Sequence, residues 1–150
     1  MHNYQTILVA VDFSKHSDVA LSRAIQLSQL YNASIRVIHV VEIPTYPVLE
    51  DVAVTGLPGV WDVELTQTLM ENANKKMSAL MELCGLSQNH ASVINGIASD
   101  TIVSTAEEID ADIIVMGKYG LSGWKRLLGS TTDSVMHRSP CDVLAVKIDE

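Results

Sequence analysis

Between residues 116 and 131 the chain reads MGKYGLSGWKRLLGST. Gly117 and Gly120 allow a sharp turn and a close approach to a ligand, because neither carries a Cβ. Gly129 runs into Ser130, Thr131 and Thr132, which can open a helix. The first amides of a helix have no partner inside it, and together with the helix dipole they attract a phosphate. The hydroxyls of Ser130 and Thr131 add donors to phosphate oxygens, or ligands to a metal. The same residues also read as turn glycines followed by an ordinary N-cap. Lys118, Lys125, Arg126 and Arg138 fall within residues 117–140 against one acid, Asp133, so the stretch is a locally basic region. That region is either an anion site or a solvated patch.

Other chemistries lack their residues. No GxxxxGK[ST] phosphate loop is present, and VDFSKH after the first strand holds no glycine for a dinucleotide fingerprint. The histidines at 2, 16, 39, 90 and 137 show no HxxxH or HExxH spacing. His39, within a strand, reads as a packed and hydrogen-bonded side chain, and His137 as a complement to a helix C-terminus. No GxSxG elbow occurs. Cys84 and Cys141 form no CxxC pair and read as small apolar core residues. Met70, Met77 and Met81 lie at helical spacing and read as core. Asp12 and Asp133 are candidates to hold a metal bridged by a nucleotide. A phospho-accepting receiver needs acids clustered after strand 1 and an acceptor after strand 3. Asp12 stands alone and INGIA has no acid.

Periodicity supplies the elements that must position these residues. TILVAV (6–11) is a short β-branched run suited to a strand buried on both faces. Asp12 and Ser14 follow as turn and cap residues. Ala20, Ala24, Leu27 and Tyr31 predict a helix over 15–31, broken by YNAS. Strand 35–41 comes next. Residues 42–62 hold Pro44, Pro47, Pro58, Gly56 and Gly59 and predict a long loop. A helix from Leu65 to Cys84 follows, then strand 91–95. Ser99 or Asp100 caps a helix carrying Ile102, Val103, Ala106 and Ile109. Strand 112–117, helix 131–138 before Pro140, and strand 141–147 complete the chain. Trp124, Leu127 and Leu128 suggest a further short packed helix. Strands alternating with amphipathic helices predict an α/β fold, a doubly wound parallel sheet of five strands with helices on both faces. Ligands bind such sheets where the strand order reverses, here beyond Val11–Asp12 and Met116–Gly117.

With 150 residues, 47 % of them hydrophobic and 19 % charged, the chain suits one domain with a full core. A net charge of −8 argues against nucleic-acid binding. No apolar run approaches the roughly 18 residues of a membrane span. MHNYQTILVAVDFS lacks the features of a signal peptide, so a cytoplasmic location is expected.

These residues resemble those of the universal stress protein family. The likeness runs through ILVAVDFS, VIHVVE, ADIIVMGKYG and SPCDVLAVK. The glycine-rich stretch resembles the family signature G-x2-G-x9-G-[ST], with eight residues, 121–128, where the pattern has nine. The resemblance implies a Rossmann-like, adenine-nucleotide-binding fold of five parallel strands and cytoplasmic dimers, a subset of which bind ATP. It implies that Asp12 sits by adenine and ribose, with Ala10 near it, and that the backbone of Val40 pairs with adenine. Gly117, Gly120, Gly129 and Ser130 match the signature, with Met116, Lys118 and Thr131 beside it.

A stress-response protein follows as an expectation, holding ATP with Mg2+ in a regulatory role and hydrolysing it slowly at most. A shorter spacer shifts the chain by up to about 3.5 Å, which keeps open a nucleotide-free interaction module of the same fold. An apolar last strand at a sheet edge is an aggregation hazard. Pairing 142–147 with its twin in a homodimer removes it, as does cover from the 42–62 loop.

Overall fold

In the computed structural model the described residues are 3–43, 63–120 and 128–149. Five strands and four α-helices alternate along them. They are β1 (Thr6–Ala10), α1 (Lys15–Tyr31), β2 (Ser34–Val41), α2 (Val63–Leu83), β3 (Ala91–Asn95), α3 (Ala98–Glu108), β4 (Ile113–Gly117), α4 (Ser130–Arg138) and β5 (Asp142–Val146). A single 3-10 turn, Gln88–His90, precedes β3. Most of the proposed loop 42–62, and the proposed short helix at Trp124 and Leu127, lie outside the described residues.

All strand pairs are parallel, in the order β3-β2-β1-β4-β5. The expected α/β double winding is therefore observed, with the order reversing between β1 and β4. The central position of β1 follows from its composition. Ile7, Leu8 and Val9 are each fully buried, and alternate residues serve opposite faces. Ile7 and Val9 join Leu21 and Ala24 of α1 and Met77 and Met81 of α2. Leu8 joins Ile102 and Ala106 of α3 and Val135 of α4 on the other face. Half-buried Cys84 and Cys141 pack against these two clusters as free thiols, as their apolar reading requires, and burial pushes both thiols above the ordinary cysteine range.

Local chemistry sets most element ends. Ser14 is extended and its Oγ accepts from the Ser17 amide at 3.2 Å, opening α1. Asn32 closes that helix in the left-handed region at φ 54°. Gly85, at φ 68°, closes α2, and Leu86 N–H donates to the Met81 carbonyl at 2.9 Å. α3 departs from expectation. It begins at Ala98, and neither Ser99 nor Asp100 caps it. The cap comes from β2's end, where Glu42 Oε1 accepts from the Ala98 amide at 2.7 Å. Asp100 instead takes Arg138 of α4 at 2.6 Å. That pairing removes Arg138 from the anticipated basic patch.

At the opposite end of the sheet, Asp112 Oδ2 accepts from the amides of Gln5 and Thr6 at 2.7 and 2.8 Å. One carboxylate thus sets the start of β1 against β4. Asp112→Ala is expected to lower unfolding free energy by about 2 kcal/mol, the cost of leaving amides without their charged acceptor, as read by urea denaturation. Leu8→Ala should cost about 3 kcal/mol through the cavity it leaves between β1 and the α3–α4 layer. Equal midpoints for wild type and Leu8→Ala would contradict the assigned core.

Candidate functional site

The site begins where β1 and β2 part. Ser34 N–H donates to the Gln5 carbonyl and Val11 N–H to the Ile38 carbonyl, at 2.8 and 2.9 Å. Even-numbered residues of β2 therefore turn their peptide groups toward β1, and odd-numbered ones toward β3. Val40 is next in this series, and its ladder partner would be the Val11 carbonyl. That carbonyl instead takes His39 Nδ1 at 2.7 Å. A carbonyl only accepts, so Nδ1 carries the proton. Among the described residues, the peptide N–H and C=O of Val40 face the gap that β1 has left.

The turn that carries β1 away is held under strain. Phe13 adopts φ 62°, a left-handed conformation that costs an L-residue about 1–2 kcal/mol. Its ring lies 4.4 Å from that of His39, between centroids, and Lys76 Nζ sits 5.8 Å from its centroid. Asp12 Oδ1 accepts from the Ser14 amide at 2.9 Å. These contacts fix the Asp12 carboxylate at the mouth of the gap. His39 is hydrogen-bonded and packed, as its strand position suggested.

Across the gap, the end of β4 is tied to the start of α4. Lys118 N–H donates to the Val146 carbonyl at 2.8 Å, and the Lys118 carbonyl accepts from Gly129 N–H at 3.1 Å. Thr132, buried, donates its Oγ1 hydrogen to the Gly117 carbonyl at 2.9 Å. The first intrahelical bond of α4 runs from Asp133 N–H to the Gly129 carbonyl. The amides of Ser130, Thr131 and Thr132 precede it and have no acceptor within the helix. Gly129 occupies the cap position without a side-chain cap. The shortened spacer, whose residues 121–127 lie outside the described ones, leaves α4's start beside Gly120. A Cβ on Gly129 would stand 3.5 Å from the Gly120 amide nitrogen.

Gly117 and Gly120 serve close packing, and neither has a positive φ. A Cβ at Gly117 would lie 2.9 Å from the Cβ of His16 in α1. A Cβ at Gly120 would lie 3.2 Å from Asp12 Oδ2. Gly117 thus makes room for a helix and Gly120 for the carboxylate. Both glycines also line the cavity between these elements, so the packing role adds to the expected one.

These elements enclose a cavity of about 430 Å³. Nine of the ten residues proposed from the sequence line it: Ala10, Asp12, Val40, Met116, Gly117, Gly120, Gly129, Ser130 and Thr131. Lys118 is not among the lining residues. Its backbone ties β4, β5 and α4 together, and its Nζ lies 5.2 Å from the Tyr119 ring centroid. Asp133 does not line the cavity either; it faces His137 on the exposed side of α4, at 3.7 Å. His137 Nδ1 also bonds the Asp133 carbonyl at 2.8 Å, in keeping with its place near the helix end. Among the described residues, no group of three or more His, Cys, Asp or Glu side chains is placed to hold a metal.

The sequence reading missed Glu42, Ala98, Tyr119 and Thr132, which also line the cavity. Tyr119 stands edge-on to His16, with ring centroids 5.6 Å apart. Its place between the paired glycines was the available signal. Thr132 had one as well, as the third hydroxyl after Gly129. Glu42 and Ala98 had none, since 56 residues separate them.

Relatives share this architecture. The model of the universal stress protein family matches residues 3–147. Universal stress protein A homolog 1 of Coxiella burnetii is 32 % identical over the full length of both chains. The solved structure of hypothetical protein MJ0577 is 28 % identical, with a TM-score of 0.79 over 99 % of each chain. A universal stress protein crystallised in complex with cAMP is also 28 % identical, with a TM-score of 0.60 over 97 % of this chain and 98 % of that one. No described helix is long and apolar enough to cross a membrane. With the family model covering nearly the whole chain and relatives aligned end to end, this chain belongs to the universal stress protein family.

Proposed function

We propose that the cavity binds an adenine nucleotide, ATP with Mg2+ foremost, and that the protein acts in the cytoplasm as a regulatory binder rather than a catalyst. The observation that carries this reading is the convergence of two unlike sets of backbone groups on one cavity. On one side stand the N–H and C=O of Val40, and on the other the leading amides of α4. A donor and acceptor side by side match the N1 acceptor and N6 donor of adenine. Helix-start amides and the hydroxyls of Ser130 and Thr131 match phosphate oxygens. Asp12 lies between them, where ribose hydroxyls would meet it. The cavity has the size usual for a small-molecule site. The similar protein in complex with cAMP adds support, since cAMP carries the same base and a phosphate. Bound nucleotide brings its own metal-binding oxygens, so Mg2+ enters with it. No described side chain is set up as a base for attack on a terminal phosphate, so hydrolysis is expected to be slow at most.

The reading extends to assembly. β5 is an edge strand that pairs only with β4 among the described residues. Since Val146 turns its carbonyl to β4, odd residues of β5 present their peptide groups outward. We propose that they pair with a second copy across a two-fold axis.

Two measurements test these proposals. Ser130 is exposed, and an acid is favourable in the first turn of a helix, so Ser130→Asp should fold normally. Two like charges 4 Å apart repel by about 4 kcal/mol near a protein surface. Isothermal titration should therefore show ATP–Mg2+ binding weakened at least about tenfold, with an unchanged melting temperature. Equal titration by both proteins would place the phosphates elsewhere. No titration by wild type would leave the nucleotide-free interaction module. Light scattering should give wild type twice the 16.3 kDa of one chain. Val143→Pro, which removes an outward N–H while sparing the β4 ladder, should be monomeric. A monomeric wild type would refute the dimer.

A further inference from the structure

We infer that Glu42 selects adenine over guanine in this cavity, an inference that rests on the nucleotide reading above. Glu42 lines the cavity at the end of β2, two residues beyond Val40. Its side chain reaches α3, as its bond to the Ala98 amide requires. That bond does more than cap a helix. Ile97 offers no side-chain cap, so Glu42 is the acceptor that opens α3, and the 2.7 Å contact holds the carboxylate in one place on the cavity wall.

A carboxylate accepts hydrogen bonds through both oxygens and donates none. Ala98 occupies Oε1, so the group retains acceptor capacity on the cavity that Val40 also lines. Adenine presents an exocyclic amine at C6, with two hydrogens. The Val40 carbonyl accounts for one of them, and the second requires another acceptor. Guanine presents a C6 carbonyl oxygen instead. Beside a carboxylate that oxygen meets negative charge and finds no donor. Glu42 is exposed, so a base seated there takes the place of solvent at the spare oxygen, and a base without a donor at that point does not return the lost hydrogen bond. Val40 alone contributes part of the preference, and Glu42 adds a charge that guanine cannot satisfy.

Glu42→Gln isolates this role. The amide oxygen can still accept from Ala98, so α3 remains capped, while the new –NH2 becomes a donor suited to the guanine oxygen. ATP and GTP, each with Mg2+, are titrated into wild type and Glu42→Gln, with melting temperatures as the check on α3. Wild type is expected to bind ATP at least tenfold more tightly than GTP. In Glu42→Gln that ratio should fall at least tenfold, with the melting temperature retained. If wild type binds ATP but the ratio changes by less than twofold in Glu42→Gln, the inference is overturned and the nucleotide reading stands. If wild type binds neither nucleotide, both are overturned.

Discussion

The hydrogen bond from His39 Nδ1 to the Val11 carbonyl, 2.7 Å long, governs the mouth of this fold. Without it, that carbonyl would be the natural acceptor for Val40 N–H, and the β1–β2 ladder would extend one step further. The imidazole intercepts the carbonyl at the point where the strands separate. Beyond it the chain turns through Asp12 and the left-handed Phe13, whose ring packs against the same imidazole. The strain at Phe13 is thus offset by contacts with the group that opens the gap. A local substitution of side chain for backbone leaves two peptide groups facing a cavity in the middle of a sheet.

The opposite wall depends on a second economy of contacts. Lys118 uses its amide to extend the β4–β5 ladder and its carbonyl to hold Gly129. Thr132 adds a buried bond to Gly117. The two ends of the glycine-rich stretch are stitched together by these bonds, which set where α4 begins. The edge strand and the helix start share one residue, Lys118. Contacts at either place therefore bear on the same backbone segment.

Much of this was legible in the sequence, for reasons that differ by element. α1 was readable end to end because Ser14, Asn32 and the apolar spacing of Ala20, Ala24 and Leu27 all act within a few residues, although Tyr31, the last of that series, stays exposed. β1 and β4 were readable because burial on both faces demands unbroken apolar runs. The end of α2 was marked by Gly85. The start of α3 was misread because its cap, Glu42, comes from another strand. Arg138 was counted with the basic patch because its partner Asp100 lies 38 residues away. The glycines were noticed at the right positions, but their packing role was hidden. Their neighbours, His16 and Asp12, come close only once α1 docks on the sheet.

The sequence by itself determined the order of strands and helices, the double winding and the residues near the reversal point. Periodicity, caps and turn residues are local, and right-handed crossovers leave few ways to assemble them. Tertiary structure alone decided which groups at that point are free and which are spent. His39 takes the Val11 carbonyl, Lys118 spends its backbone groups on Val146 and Gly129, and Glu42 reaches a helix 56 residues on. Hydrogen-bonding capacity is exhausted by whichever partner is nearest in space, and sequence separation carries no information about that distance.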